Sequence, residues 1–209
     1  ILKEKGIYVI AYTLAIAGIY AKKVELEEIE KNTFRCPDPD QVEAMKEAIE
    51  KARAEGDSVG GVVELLVRNC PAGLGDPVFD KLDARLAYSL MSIGAVKGVE
   101  IGAGFNVAEM RGSVCNDPFY FDGDCVRTKT NHAGGILGGI STGEDIVARV
   151  AVKPTPSIAK IQETVSTEYK KEDISVLGRH DPCICLRIVP VIEAMTSLCI
   201  VDCLNLARR

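Results

Sequence analysis

Apolar residues form runs and stripes along the chain that predict alternating strands and helices. The stretch Gly6–Ala17 (GIYVIAYTLAIA) is rich in β-branched and aromatic residues and lacks polar alternation, which predicts a strand covered on both faces. Similar runs predict strands at Val59–Val67, Val96–Ile101 and Ile146–Val152. Helical patterns lie between them, so the predicted fold class is α+β.

Three segments carry apolar residues at helical spacing. In the first, Asp38 is the expected N-cap, Pro39 the first helical residue and Gly56 the end of the helix. The second is Asp80–Ile93, whose leucines fall on one stripe. The third is Ile188–Leu206, in which the spacings of three and four join Val191, Met195, Leu198 and Val201.

The chain between Gly102 and Asp145 is crowded with turn-forming residues and has little helical period. Within it, Asp122-Gly123 separates PFYF from CVRTKT and predicts a tight hairpin. The segment Lys153–Ser157 (KPTPS) is too rich in proline for a helix or a central strand. Neither a linker nor a short repeat interrupts the sequence, so a single domain over residues 1–209 is expected.

The composition is that of a soluble globular protein, with 47% hydrophobic and 26% charged residues in 209. A net charge of -5 argues against a nucleic-acid partner. The longest uncharged run, between Lys5 and Lys22, is shorter than a membrane span requires, and a buried strand is favoured there over a signal peptide. Eight cysteines without a CxxC pair indicate reduced thiols and a cytoplasmic location. Because Ile1 replaces an initiator Met, we expect the chain to begin inside a longer polypeptide.

The segment Asn131–Asp145 contains five glycines. Glycine permits positive φ and lets a flat or charged ligand touch backbone amides, so this segment is a candidate ligand loop. The alternative is a loop whose glycines only allow close packing against a neighbouring strand.

In Lys153–Ser157, a rigid extended backbone holds one ammonium and two hydroxyl groups close together, a set that suits a phosphate. A solvated lysine before a proline turn is the alternative interpretation.

The run Gly178–Pro182 places Arg179, His180 and Asp181 at successive positions. Its apolar flanks predict partial burial, and a partly buried Asp181 is a candidate proton acceptor. Alternatively, Asp181 pairs with Arg179 or caps the following helix. A further alternative is a metal site, in which His180 joins Cys183 and Cys185 as ligands.

Taken together, several segments resemble chorismate synthase from about Lys3 to the C-terminus. They are GLGDPVFDKLDARLA (73–87), GAVKGVEIGAGF (94–105), MRGSVCNDPFY (110–120), NHAGGILGGISTGED (131–145), RVAVKPTPSIAK (149–160), GRHDPC (178–183) and PVIEAM from Pro190. The NDPFY segment is most similar to the archaeal branch of that family.

The resemblance implies a layered β-α-β sandwich, of which this chain lacks the N-terminal part. It also implies the family's reaction, the anti elimination of phosphate from 5-enolpyruvylshikimate 3-phosphate to give chorismate in aromatic amino acid biosynthesis. The implied cofactor is reduced flavin mononucleotide (FMN), supplied by an external flavin reductase or by an NADP-dependent activity. The implied assembly is a homotetramer.

Carried over residue by residue, the family's flavin contacts fall on four places in the chain, and its proposed base falls on Asp181. The flavin contacts are Gly94, Ala95, Gly138, Lys153, Pro154, Thr155, Pro156, Ser157 and Arg179. Two departures affect the site: Gly94 replaces the usual Asn, and Leu186 replaces the usual proline after DPC. The family's N-terminal histidine and arginine segments are not in this chain, so a truncated relative that folds or oligomerises without catalysis is the alternative function.

Overall fold

The computed structural model of the chain describes residues 1–207. Its α-helices and strands follow one another in a mixed order that confirms the predicted α+β class. In chain order they are β1 Tyr8–Ile16, β2 Ile19–Tyr20, α1 Pro39–Ala54, β3 Gly61–Arg68, α2 Leu82–Met91, β4 Val96–Ile101, α3 Gly112–Cys115, β5 Phe119–Asp122, β6 Cys125–Thr128, β7 Ile136–Leu137, β8 Ile140–Ser141, β9 Ile146–Val152, β10 Gln162–Val165, β11 Lys171–Ile174 and α4 Cys185–Leu206.

Five strands form the main sheet, in the order β2-β1-β3-β9-β4. The chain divides into two compact units, each assembled from separate stretches of sequence. The first unit contains residues 1–11, 64–150 and the chain from Val189 onward; the second contains residues 12–63 and 151–188. The single domain expected over residues 1–209 stays a prediction.

In the first unit, the core forms around α2, which packs against β4. The leucines predicted on one stripe, Leu82, Leu86 and Leu90, are all fully buried. The helix begins at Leu82 and ends at Met91, and so is two residues shorter at each end than the predicted Asp80–Ile93. The predicted strand Val96–Ile101 is β4 itself, with the same bounds.

In the second unit, α1 begins as the sequence predicts, with Pro39 as its first residue and Asp38 as its N-cap. One carboxylate oxygen of Asp38 accepts a hydrogen bond from the Asp40 amide at 3.2 Å, and the other accepts one from the Lys22 amide at 2.8 Å. Burial opposes ionisation of this carboxyl, but the backbone donors and the Lys23 ammonium outweigh it and lower the pKa of Asp38. Asp38 therefore joins the start of α1 to the segment after β2.

The long helix α4 buries a different face from the one the sequence indicated. Its buried stripe is Ile188, Val189, Ile192, Thr196, Cys199, Ile200 and Cys203. Val191 and Leu198, from the predicted stripe, are 43% and 66% exposed. The helix also starts at Cys185 rather than at Ile188, and Pro190 lies inside it. By length and composition alone α4 resembles a membrane span, with a mean hydropathy of 1.6, a property that core helices of soluble proteins share.

Two exposed hairpins lie outside the main sheet. β5 pairs with β6 where the sequence predicts a hairpin, but the turn residues are Gly123 and Asp124, since Asp122 pairs with Cys125. The second hairpin, β10 with β11, was missed, because its strands QETV and KEDI are polar and exposed along their whole length. Without an apolar face, such strands have no period-2 signal.

We predict that Asp38→Ala lowers the free energy of unfolding by about 1 to 2 kcal/mol, the range for a lost N-cap. Because folding lowers the pKa of Asp38, its contribution is present above the unfolded pKa of about 4 and is lost as pH falls through the folded pKa. Urea unfolding at pH 7 and at pH 3 measures this. As a control, Asp40→Ala, whose side chain is 75% exposed, should change stability little. Equal losses from both variants at pH 7 would contradict the capping role.

Candidate functional site

The Lys153–Ser157 segment leaves the end of β9 as an extended chain without regular secondary structure, as predicted. Pro154 and Pro156 fix their own φ angles and restrict the residues before them, so the backbone is rigid. Lys153 is half-buried, and no residue among 1–207 holds its ammonium group in an ion pair or hydrogen bond. The Ser157 hydroxyl is likewise without a partner in the described part of the chain.

A cavity of about 160 Å³ in the second unit brings three of the predicted residues together. Ser157, Arg179 and Asp181 line it, and Arg53 and His180 lie beside them. The predicted partial burial is wrong for Arg179 and His180, which are both exposed. The Arg179 guanidinium has no partner within residues 1–207, so it is open to an anion.

Asp181 forms an ion pair, but with a residue that the sequence analysis missed. One carboxylate oxygen lies 3.1 Å from Nη2 of Arg187, in the first turn of α4, rather than against Arg179. The Asp181 side chain is 42% exposed and Arg187 is 73% exposed. Asp181 does not cap α4, which begins four residues later. An exposed pair of this kind contributes little stability, so the carboxylate is free to exchange partners.

The metal alternative finds no support in residues 1–207, where no group of three or more His, Cys, Asp or Glu side chains is placed to hold an ion. Cys183 and Cys185 are both buried, whereas His180 is exposed. The pKa of Cys185 is raised by its hydrogen bond with Cys183 and by burial. A metal ligand must be a thiolate, which these surroundings oppose for Cys185.

In the first unit, two of the five glycines of Asn131–Asp145, Gly134 and Gly135, are required by close backbone packing. A Cβ on Gly134 would lie 2.4 Å from the Gly102 amide nitrogen, and one on Gly135 would lie 2.6 Å from the Asp145 carbonyl oxygen. Both have positive φ. Side chains close the loop: Asn131 Oδ1 accepts a hydrogen bond from the Gly135 amide at 2.7 Å, and its Nδ2 donates to the Asp145 carbonyl at 2.8 Å. The packing interpretation therefore explains these glycines.

Gly138 differs from its neighbours. It lies at the tip of the β7–β8 hairpin with φ of 59°, it is exposed, and nothing lies within 4 Å of the position of a Cβ. Gly94 is exposed and open in the same way, and Ala95 beside it has a φ of 73°, rare for a residue with a side chain. These three predicted flavin contacts leave backbone accessible, and their role stays a prediction.

Asp117, in the NDPFY segment, is a residue whose function the sequence analysis did not identify. It is buried, and its carboxylate accepts hydrogen bonds from the Thr130 hydroxyl at 2.6 Å and from the amides of His132 and Ala133, each at 2.8 Å. Burial opposes its ionisation, but these donors outweigh it and lower the pKa of Asp117. The signal was available, since an Asp before a proline in a polar stretch is a common organiser of loops. Asp117 fixes the start of the glycine segment.

A cavity of about 750 Å³ in the first unit is a weaker candidate site. Its cationic groups already face carboxylates: Arg68 Nε lies 3.7 Å from Asp145, and Arg127 Nη1 lies 3.5 Å from Glu144. In the smaller cavity, the Ser157 hydroxyl and the Arg179 guanidinium have no partner among residues 1–207, so it is the better site for an anionic ligand.

Comparison with known proteins supports the resemblance seen in the sequence. The model of the chorismate synthase family matches residues 1–204. The chain belongs to the chorismate synthase family. The match covers both segments of the candidate site, 153–157 and 178–183.

Curated chorismate synthases match nearly the whole chain. That of Syntrophobacter fumaroxidans is 56% identical over 201 residues, which are 96% of this chain and 56% of that protein. That of Methanosarcina mazei is 53% identical over 207 residues, or 97% of this chain and 57% of that protein. The chain thus spans little more than half the length of these relatives. Archaeal chorismate synthases are among them, as the NDPFY segment suggested.

A solved structure described as a crystal structure of chorismate synthase matches with a TM-score of 0.80 and 30% identity. The match covers 97% of this chain and 58% of the chain in the solved structure. The predicted chorismate synthase fold is therefore confirmed.

Two glycines of the segment provide a matched test of the packing interpretation. Gly134 and Gly138 have φ of 66° and 59°, so alanine suffers similar backbone strain at both, but only Gly134 has backbone atoms where the methyl group would lie. We predict that Gly134→Ala destabilises the chain by about 1 to 3 kcal/mol more than Gly138→Ala, as overpacking does. Urea unfolding of both variants measures the difference. Equal losses would mean that strain alone, and not close packing, requires Gly134.

Proposed function

We propose that the protein acts as a chorismate synthase, a lyase that removes phosphate and a proton from 5-enolpyruvylshikimate 3-phosphate to give chorismate. The observation that carries the proposal is the set of free donors at Lys153, Ser157 and Arg179, on segments inside the family match. Identities of 53% and 56% to chorismate synthases support it. Since this chain spans little more than half of those relatives, the proposal concerns the whole protein to which the chain corresponds.

The donor set fits the reduced FMN that the family uses. Within residues 1–207 the Lys153 ammonium, the Ser157 hydroxyl and the Arg179 guanidinium have no partner, and these are groups that bind phosphate and other anionic oxygens. In the first unit, taken by itself, Gly94, Ala95 and Gly138 have accessible backbone, and their contact with the flavin ring stays a prediction. Bound reduced FMN would supply the electron density that assists the departure of phosphate.

Asp181 is proposed to be the proton acceptor of the site. Its carboxylate lies on the wall of the cavity beside Ser157 and Arg179, and its only ion-pair partner in the described chain is the exposed Arg187. A carboxylate that is half-exposed and weakly paired can accept a proton at Oδ1 or Oδ2 without breaking a buried network. This differs from Asp117, whose carboxylate is fully occupied by loop donors.

Several features of the whole protein belong to the same proposal. They are a cytoplasmic location, a homotetrameric assembly, no nucleic-acid or membrane partner, and reduced FMN supplied by a flavin reductase or from NADPH. The free cysteines are consistent with a reducing compartment. No observation on residues 1–207 favours the alternative of a truncated, non-catalytic relative.

We predict that Lys153→Ala and Ser157→Ala each weaken FMN binding by about 1 to 3 kcal/mol, the range for removing a hydrogen-bond partner of a charged group. Fluorescence titration of the protein, at the full length of its relatives, measures this. Lys171→Ala and Ser166→Ala are matched controls that should leave affinity unchanged, because Lys171 is exposed in β11, Ser166 is half-buried beside the same hairpin, and neither lines the cavity. Unchanged affinity in both test variants would refute the phosphate assignment.

We predict that Asp181→Asn lowers turnover by about 100- to 10,000-fold, the usual loss when a positioned base is removed, with little change in FMN affinity. Arg187→Gln is the control, because it breaks the same ion pair and keeps the carboxylate. Turnover and melting temperature are measured on both. If the two variants lose the same small stability and keep their turnover, Asp181 is only an ion-pair partner.

A further inference from the structure

The chain turns a corner after α1, at Asp57 and Ser58, and hydrogen bonds within the second unit hold this corner in place. The Asp57 carboxylate accepts a hydrogen bond from the Ser58 amide at 2.8 Å and faces the Lys160 ammonium at 3.3 Å. These two donors, the Ser58 amide first, lower the pKa of Asp57. The Lys160 amide also donates to the Gly56 carbonyl at 3.0 Å. The corner is thus joined to the chain that follows Ser157.

Gly60 allows this corner to approach the Lys153–Ser157 segment. A Cβ at Gly60 would lie 2.4 Å from the Val152 carbonyl oxygen and 3.1 Å from Cδ of Pro154. No φ requirement applies here, so the glycine is needed for space alone. The close approach brings the Ser58 side chain within reach of Thr155.

Two hydroxyl groups then connect three segments in series. Ser58 Oγ donates to the Thr155 carbonyl at 2.7 Å, and Thr155 Oγ1 donates to the Asp181 carbonyl at 2.7 Å. The Val59 amide donates to the next carbonyl, that of Pro182, at 2.8 Å. Consecutive carbonyls of the Asp181 segment are therefore held from two different segments. Pro154 and Pro156 keep the Thr155 backbone rigid between them.

These bonds hold the backbone of Asp181, while its carboxylate pairs, among residues 1–207, only with the exposed Arg187. The position of the carboxylate therefore depends on where its backbone is fixed. A threonine hydroxyl has one O–H donor, and that of Thr155 is used by Asp181. It is not available to donate to a phosphate at the same time.

We propose that Ser58 and Thr155 are positioning residues that fix the Asp181 segment against the Lys153–Ser157 segment, and that the Thr155 side chain acts through Asp181 rather than on the flavin. This rests on the function proposed above. It gives the Asp57-Ser58 corner a role in placing Asp181. It also predicts that the Thr155 side chain makes no direct contact with the flavin.

The test compares Thr155→Val, which keeps the shape and loses the hydroxyl, with Thr155→Ser, which keeps it. Ser58→Ala removes the other bond, and Ser175→Ala is the matched control because it removes a 2.6 Å serine bond to the Ala159 carbonyl that is not one of the bonds joining Ser58, Thr155 and Asp181. Three quantities are measured: hydrogen exchange of the Val59 amide in this chain, FMN affinity by fluorescence, and kcat with KM in the protein at the full length of its relatives.

We expect Thr155→Val and Ser58→Ala to speed Val59 exchange by roughly three- to tenfold, the effect of one lost hydrogen bond on local opening. We also expect kcat to fall about tenfold while KM and FMN affinity change less than about twofold, since a misplaced base slows the chemistry and spares binding. Thr155→Ser should keep Val59 exchange and kcat close to their wild-type values, and Ser175→Ala should change none of the measured quantities.

Weaker FMN binding by Thr155→Val with unchanged Val59 exchange would overturn the proposal and make the hydroxyl a flavin ligand. Equal effects from Ser175→Ala would overturn it as well, since the loss would then be general destabilisation. A wild-type protein that binds no FMN would refute the proposed function instead, and the Val59 exchange would still decide whether Thr155 holds the Asp181 backbone.

Discussion

In each unit, the candidate ligand-binding segments depend on the hydrogen bonds by which side chains satisfy the peptide groups of irregular chain. The chain at 131–135, 153–157 and 178–182 belongs to no long strand or helix that could satisfy its amides and carbonyls. Asn131 and Asp117 supply the partners in the first unit, and Ser58 and Thr155 supply them in the second. Loops held in this way can present open backbone and free donors to a ligand and still keep one conformation.

This constraint explains why groups of similar chemistry have different roles. Asp117 and Asp181 are both aspartates in polar loops followed by proline. The first is buried among three donors and is structural, whereas the second has its backbone held and its carboxylate half-exposed. The two serines differ in the same way. The Ser58 hydroxyl donates to the Thr155 carbonyl, whereas the Ser157 hydroxyl has no partner in the described residues. A side chain without a protein partner, on a segment whose backbone is rigid, is therefore available to bind a ligand.

The elements with a strong local pattern could be predicted from the sequence, and those fixed by tertiary contacts could not. The bounds of β4 and β9 and the N-cap of α1 match the structure, because apolar runs and capping residues act locally. The prediction of which face of α4 is buried was wrong, because this helix is apolar on nearly all sides and the spacing of its apolar residues fits two different stripes. The Arg187 partner of Asp181 was missed for a similar reason: it depends on where α4 begins, and Pro190 inside the helix concealed that start.

The way each unit is assembled has a consequence for how the protein is made. The first unit combines residues 1–11 with the chain from Val189 onward, and the second combines 12–63 with 151–188. On the ribosome, the first unit cannot be completed around the start of β1 until α4 has been synthesised. Until then, the apolar residues of β1 lack part of their final surroundings and are exposed to wrong association. Chaperone binding to nascent chains should therefore persist until α4 has been translated.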